Sequence, residues 1–83
     1  MCYMYVAILT RGIRPKPDEL AGRDAAVDAL KDAEVGRCSG TYKGYGQIGF
    51  SFQVLDEAFA KSEIQRVMHQ FFGETEYFVR ESD

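Results

Sequence analysis

Residues 47–54 constrain this chain more than any other segment: Ile48, Phe50, Phe52 and Val54 alternate with Gln47, Gly49, Ser51 and Gln53. A period of two belongs to a strand that buries one face and turns the other toward solvent. Such a strand needs paired neighbours and an apolar cover, and the rest of the chain has to supply both. With 83 residues, the chain has room for a single domain, residues 1–83, built around one core. Its 46% hydrophobic and 28% charged residues suit a folded domain and are too apolar for a disordered one.

The neighbours and the cover are legible on either side. Tyr3–Leu9 is rich in aromatic and branched residues and reads as a strand, with Met4, Val6 and Ile8 inward and Tyr3, Tyr5 and Ala7 on the open side. A loop follows, with Arg11, Arg14, Lys16 and two prolines. Pro17, Asp18 and Glu19 suit the first turn of a helix that runs to about Ala33. Its apolar face is Leu20, Ala26, Val27, Leu30 and Ala33, and its solvated face is Arg23, Asp24, Asp28, Lys31 and Asp32. Val35–Tyr42 is short and polar and holds Gly36 and Gly40, as expected of an edge strand. Asp56 is placed to cap a second helix with Ala60, Ile64, Val67, Met68 and Phe71 inward, and Gly73 to end it. Thr75–Arg80 reads as a last strand.

The order strand, helix, strand, strand, helix, strand predicts a ferredoxin-like α+β sandwich. In that fold a four-stranded antiparallel sheet carries both helices on one face. The first and third strands, being the most apolar, belong in the centre. The predicted core is Val6, Ile8, Val27, Leu30, Ile48, Phe50, Phe52, Val54, Ile64, Val67 and Phe71. This arrangement sets Cys2 and Cys38 two strands apart, about 10 Å, too far for a disulfide.

Composition narrows the chemistry. The net charge of −3 argues against generic duplex binding. There is one histidine, His69, which lies beside the apolar stripe of the second helix and reads as a boundary residue. Two cysteines make neither a disulfide scaffold nor a zinc ligand set. No triad, metal cluster or carboxylate pair can be assembled, so no catalytic residue, metal or cofactor is expected. The apolar start, Met1–Leu9, is too short to span a bilayer and lacks a signal-peptide pattern, so a cytoplasmic protein without membrane contact is expected. Charge is unevenly spread: both helix-bearing segments are acidic, while the first loop and the 43–46 hairpin are basic.

Two resemblances bear on function. Lys43-Gly44-Tyr45-Gly46-Gln47-Ile48-Gly49-Phe50 resembles the third-strand signature of the RNA recognition motif, and Met4-Tyr5-Val6-Ala7-Ile8-Leu9 is similar to its first-strand hexapeptide. That resemblance implies a single-stranded nucleic-acid module in which Tyr5 and Tyr45 stack on bases and Lys43 meets phosphate. Gly40-x-Tyr42-Lys43-Gly44-x-x-Gln47-x-Gly49-Phe50-x-Phe52, followed by Phe72-Gly73-Glu74-Thr75-Glu76-Tyr77, resembles small phage-encoded or prophage-encoded proteins. Proteins of similar size and acidity include those that block bacterial defence enzymes, the anti-CRISPR proteins among them.

The leading expectation is a non-enzymatic, phage-type inhibitor that binds a host protein or ribonucleoprotein complex such as CRISPR-Cas. Its contacts would be Tyr42 and Tyr45 as anchors beside Lys43, with Asp24, Asp28, Asp32, Glu57 and Glu63 steering the approach. The alternative is nucleic-acid binding through Tyr5, Lys43 and Tyr45. Self-pairing through the edge strand would give a homodimer.

Overall fold

The structure is a computed structural model and describes residues 2–82. Its elements run β1 (Cys2–Leu9), α1 (Pro17–Asp32), β2 (Gly36–Gly44), β3 (Gln47–Val54), α2 (Glu57–Phe72) and β4 (Tyr77–Ser82). They form one antiparallel sheet in the order β2-β3-β1-β4, the ferredoxin-like βαββαβ arrangement expected from the sequence. β1 and β3 are central because each buries one complete side: Cys2, Met4, Val6 and Ile8 on β1, and Ile48, Phe50, Phe52 and Val54 on β3. Ala26, Val27 and Leu30 of α1 and Ala60, Ile64, Val67 and Met68 of α2 close over this side. Phe50 and Phe52 meet edge to face at 5.9 Å, a geometry that favours ring pairs.

Strand ends differ from the sequence reading where pairing overrides propensity. β2 extends through Lys43 and Gly44, since both pair with β3, at Ile48 and Gln47. The hairpin turn therefore shrinks to Tyr45 and Gly46, and Gly46 takes its positive φ of 76°. β4 begins two residues late, at Tyr77, and reaches Ser82. Phe71 is half-buried and packs against the core from its margin, where the sequence pattern had placed it inside. A bulge between Cys38 and Gly40 interrupts β2. Neither cysteine is in a disulfide; β3 separates the strands that carry them.

Helix ends follow local chemistry. Asp56 Oδ1 accepts the Phe59 N–H at 3.0 Å, the N-cap the sequence suggested. α1 has Lys16 at its N-cap, a side chain with no acceptor to offer. Glu19, in the first turn, compensates: its carboxylate accepts the Lys16 N–H and the Arg11 N–H, both at 2.9 Å, and is buried in doing so. Arg11 also contacts it through Nε at 3.6 Å. One carboxylate thus fastens both ends of the basic loop to the helix. At the other end Val35 N–H reaches Leu30 O and Glu34 N–H reaches Lys31 O, a Schellman closure. Glu34 holds the left-handed position, φ 58°, that glycine usually fills.

Two stability outcomes follow. Burial pushes the Glu19 carboxyl upward, but the Lys16 and Arg11 N–H groups, helped by the Arg11 charge, outweigh it and hold it below the ordinary carboxylate value. Its stabilisation is therefore complete above the unfolded value and is lost as pH falls through the lower folded value. Urea titration of Glu19→Gln should show a loss of about 1–3 kcal/mol at neutral pH, with the difference from wild type closing in acid. Glu34→Gly should gain about 0.5–1 kcal/mol in the same assay by relieving the left-handed backbone.

Candidate functional site: the open face of the sheet

The side of the sheet away from the helices is built by strand alternation. Register places Tyr3, Tyr5 and Ala7 of β1 beside Gln53, Ser51 and Gly49 of β3, and beside Ser82, Arg80 and Phe78 of β4. β2 adds Arg37 opposite Gln53 and Tyr42 opposite Gly49. Among the described residues, the strand positions of this face carry Arg37 and Arg80 and no carboxylate. The chain's acidic balance lies elsewhere, chiefly on the helices and the segments that join them to the sheet.

Ala7 forms a low floor beside Gly49 at the centre of this face. Tyr42 lies across Gly49 and donates its hydroxyl to Val6 O at 3.0 Å. A Cβ at position 49 would overlap both the Tyr42 ring and that carbonyl, so only glycine permits the arrangement. Burial against the sheet pushes the Tyr42 phenol above its ordinary value, and the weaker pull of Arg80 opposes it, so the hydroxyl stays a donor at neutral pH. Tyr5 sits under the Arg80 guanidinium, 5.2 Å from ring centroid to Cζ, and 6.4 Å from the Tyr3 ring. Phe78 stands 57% exposed beside Ala7. Tyr5, Ala7, Tyr42, Gln47, Phe78 and Arg80 together enclose a shallow depression of about 420 Å³. Ser39 and Ser51 share a hydroxyl hydrogen bond of 2.6 Å.

The residues singled out from sequence divide between several surfaces. Tyr5 and Tyr42 share the open face; Tyr42 is fixed there by its hydroxyl and keeps 37% exposure. Lys43 pairs with Ile48, whose side is the helix side, so it does not join them. Tyr45 occupies the hairpin turn, 89% exposed, outside the strands. The turn therefore falls inside the segment that resembles the third-strand signature, and its first residues lie on β2. Asp24, Asp28 and Asp32 are exposed along α1, Asp24 paired with Arg23 at 2.9 Å. Glu57 is exposed at the start of α2, and Glu63 is half-buried and paired with Arg66 at 3.0 Å. His69 is exposed on α2.

Sequence reading missed Arg37, Phe78 and Arg80 as members of the face. The alternation Tyr77/Val79 against Phe78/Arg80 was the available signal, but assigning sides in so short a strand needs its register on β1. Among the described residues no three His, Cys, Asp or Glu side chains gather as a metal site. No helix is long and apolar enough to cross a membrane.

Fold and site together define a ferredoxin-like α+β domain with an aromatic, cationic sheet face. Compared with known protein families and with curated proteins, the chain gives no match.

Packing of the face is testable by itself. Tyr42→Phe removes one hydroxyl bond and should lower stability by about 0.5–1.5 kcal/mol. Gly49→Ala forces the ring and the β1 backbone apart and should cost about 1–3 kcal/mol. Chemical denaturation ranks the two, and the face assignment requires the alanine variant to be the weaker.

Proposed function

We propose that this domain is a non-enzymatic binding module that takes single-stranded nucleic acid on the open face of its sheet. The observation that carries this reading is the clustering of Tyr5, Phe78 and Arg80, with Arg37 at the opposite edge, on a face whose strand positions hold no carboxylate among the described residues. Exposed rings on a sheet surface stack on bases of any sequence, and guanidinium groups add phosphate contacts and cation–π attraction. A base lying on the Ala7 floor would meet the Phe78 ring on one side and the Tyr42 edge on the other, while Tyr5 and Arg80 extend the stack.

Fluorescence titration with mixed-sequence single-stranded RNA and DNA at low salt tests the reading. Tyr5→Ala and Phe78→Ala should each weaken binding by about 1–3 kcal/mol. Arg80→Gln should flatten the salt dependence. Tyr45→Ala, outside the strands, should leave affinity unchanged. Absence of wild-type binding at tens of micromolar rejects the proposal.

A second reading, inhibition of a host nucleic-acid-handling or defence complex such as CRISPR-Cas, is favoured by a different observation. The exposed acids Asp28, Asp32 and Glu57 lie on helices while cations hold the opposite sheet face, so the helical side offers a negative surface to a basic channel. The β2 edge is less suited to that contact. Its bulge, and the Arg23 guanidinium donating to Tyr42 O at 3.1 Å, blunt strand addition. Inhibition of a purified defence nuclease that survives Tyr5→Ala but fails on neutralising Asp28, Asp32 and Glu57 would select this second reading.

A further inference from the structure

The two ends of the sheet carry apolar side chains that the fold leaves uncovered, and the charges around them are opposite. At one end the β1–α1 loop and the β2–β3 hairpin meet. Thr10 N–H donates to Gly46 O at 3.0 Å and Gly46 N–H donates to Ile13 O at 2.7 Å, so residues far apart in sequence become one rigid corner. Glu19 holds the loop from below, and Thr10 Oγ1 bonds Gly12 O at 2.6 Å. This fixed corner presents Ile13 at 70% and Tyr45 at 89% exposure around a groove of about 300 Å³ that Arg14, Pro15 and Lys43 also line. A loop tied down this firmly does not expose an isoleucine for want of order.

At the other end, one β3 length or about 26 Å away, β3 passes into α2. Leu55 is 83% exposed and Phe59 44% exposed, on either side of the exposed acids Asp56 and Glu57. α1 runs back from the basic corner to this same end, bringing Asp32 and Glu34 with it; the cations there are Lys31, Arg37 at the start of β2, and Lys61, which pairs with Glu81. Four acids share the first end: Asp18 pairs with Arg11 and Glu19 holds the loop N–H groups, while Glu74 and Glu76 precede β4, at the opposite edge of the sheet from the hairpin.

We propose that the partner of the basic corner is the acidic end of a second copy of this chain, so that copies associate head to tail. Leu55 and Phe59 of one copy would seat against Ile13, Pro15 and Tyr45 of the next, with Arg14 and Lys43 facing Glu57 and Glu34. Charge complementarity selects this occupant: Arg14 and Lys43 line the groove at one patch, and the exposed acids Glu34, Asp56 and Glu57 surround the other. A contact between unlike patches leaves one of each unused at the ends of the assembly, so it propagates into chains or rings rather than stopping at a two-fold dimer. Both patches are small, which makes each junction weak and salt-sensitive. The open sheet face takes no part, so this inference is independent of the nucleic-acid reading.

Analytical ultracentrifugation from micromolar to millimolar protein tests it. The weight-average mass should rise past that of a dimer at low salt and fall back at high salt. Ile13→Ser/Tyr45→Ser and Leu55→Ser/Phe59→Ser each remove one patch and should each be monomeric, with junction affinity down by about tenfold or more. Circular dichroism and unfolding midpoints close to wild type confirm that both still fold. Mixed together, the two variants should form a one-to-one pair and nothing larger, since one intact corner then meets one intact acidic end. Arg14→Glu/Lys43→Glu should abolish self-association, and pairing should be restored by mixing with a chain bearing Glu34→Lys/Glu57→Lys. A wild-type chain that stays monomeric at millimolar concentration in low salt overturns the proposal. So does a mass that plateaus at two copies, or a mixture of the patch variants that fails to pair.

Discussion

The one-sided burial of β3 is the constraint on which the rest of this structure depends. Ile48, Phe50, Phe52 and Val54 are almost wholly removed from water, and a one-residue slip would turn all four outward. That burial fixes register with β1 on one edge and β2 on the other, and it sets the side on which both helices must sit. It also decides, by exclusion, what remains on the other side: Gln47, Gly49, Ser51 and Gln53, residues too small or too polar to need a cover. The site is the residue of the core's requirement.

Within the open face, Gly49 has a similar organising effect on a smaller scale. Its missing side chain lets Tyr42 lie flat across the sheet and bond a backbone carbonyl on a strand beyond its direct neighbour. An aromatic on an edge strand is thereby turned into a wall of a central depression. Opposite it, Arg80 is drawn over Tyr5 by the ring's negative face. The result is an ordered surface of rings and guanidinium groups on a chain whose overall charge is negative. The function proposed for the face draws on that local inversion of sign rather than on net charge.

Rigid presentation recurs at the hairpin corner. Glu19 satisfies two backbone N–H groups that a lysine N-cap and a proline-rich loop would otherwise leave to solvent. With the loop pinned, its two bonds to Gly46 hold the turn, and the exposed Ile13 and Tyr45 become fixed features. The same carboxylate therefore starts α1 and shapes a surface on which α1 has no direct part.

How much of this was legible beforehand depends on the range of the interaction involved. Strand alternation, the Asp56 cap, the Gly73 stop and the burial of Met4, Val6 and Ile8 are local, set by neighbours within a turn or a strand, and the sequence determined them. The central position of β1 and β3 followed from their being the most apolar strands. Tertiary structure alone decided the end of β2 at Gly44, because pairing with Gln47 and Ile48 outweighed the weak strand propensity of Lys43 and Gly44. It also decided that Tyr42 and Lys43, adjacent in sequence, serve opposite sides, and that Phe78 and Arg80 join Tyr5 across a strand boundary. Position 49 reads in sequence as a small residue on the open side of a strand; that a ring from β2 fills its space depends on a contact between strands. Such contacts carry no period along the chain, since the energy that fixes them arises only once distant segments share a surface.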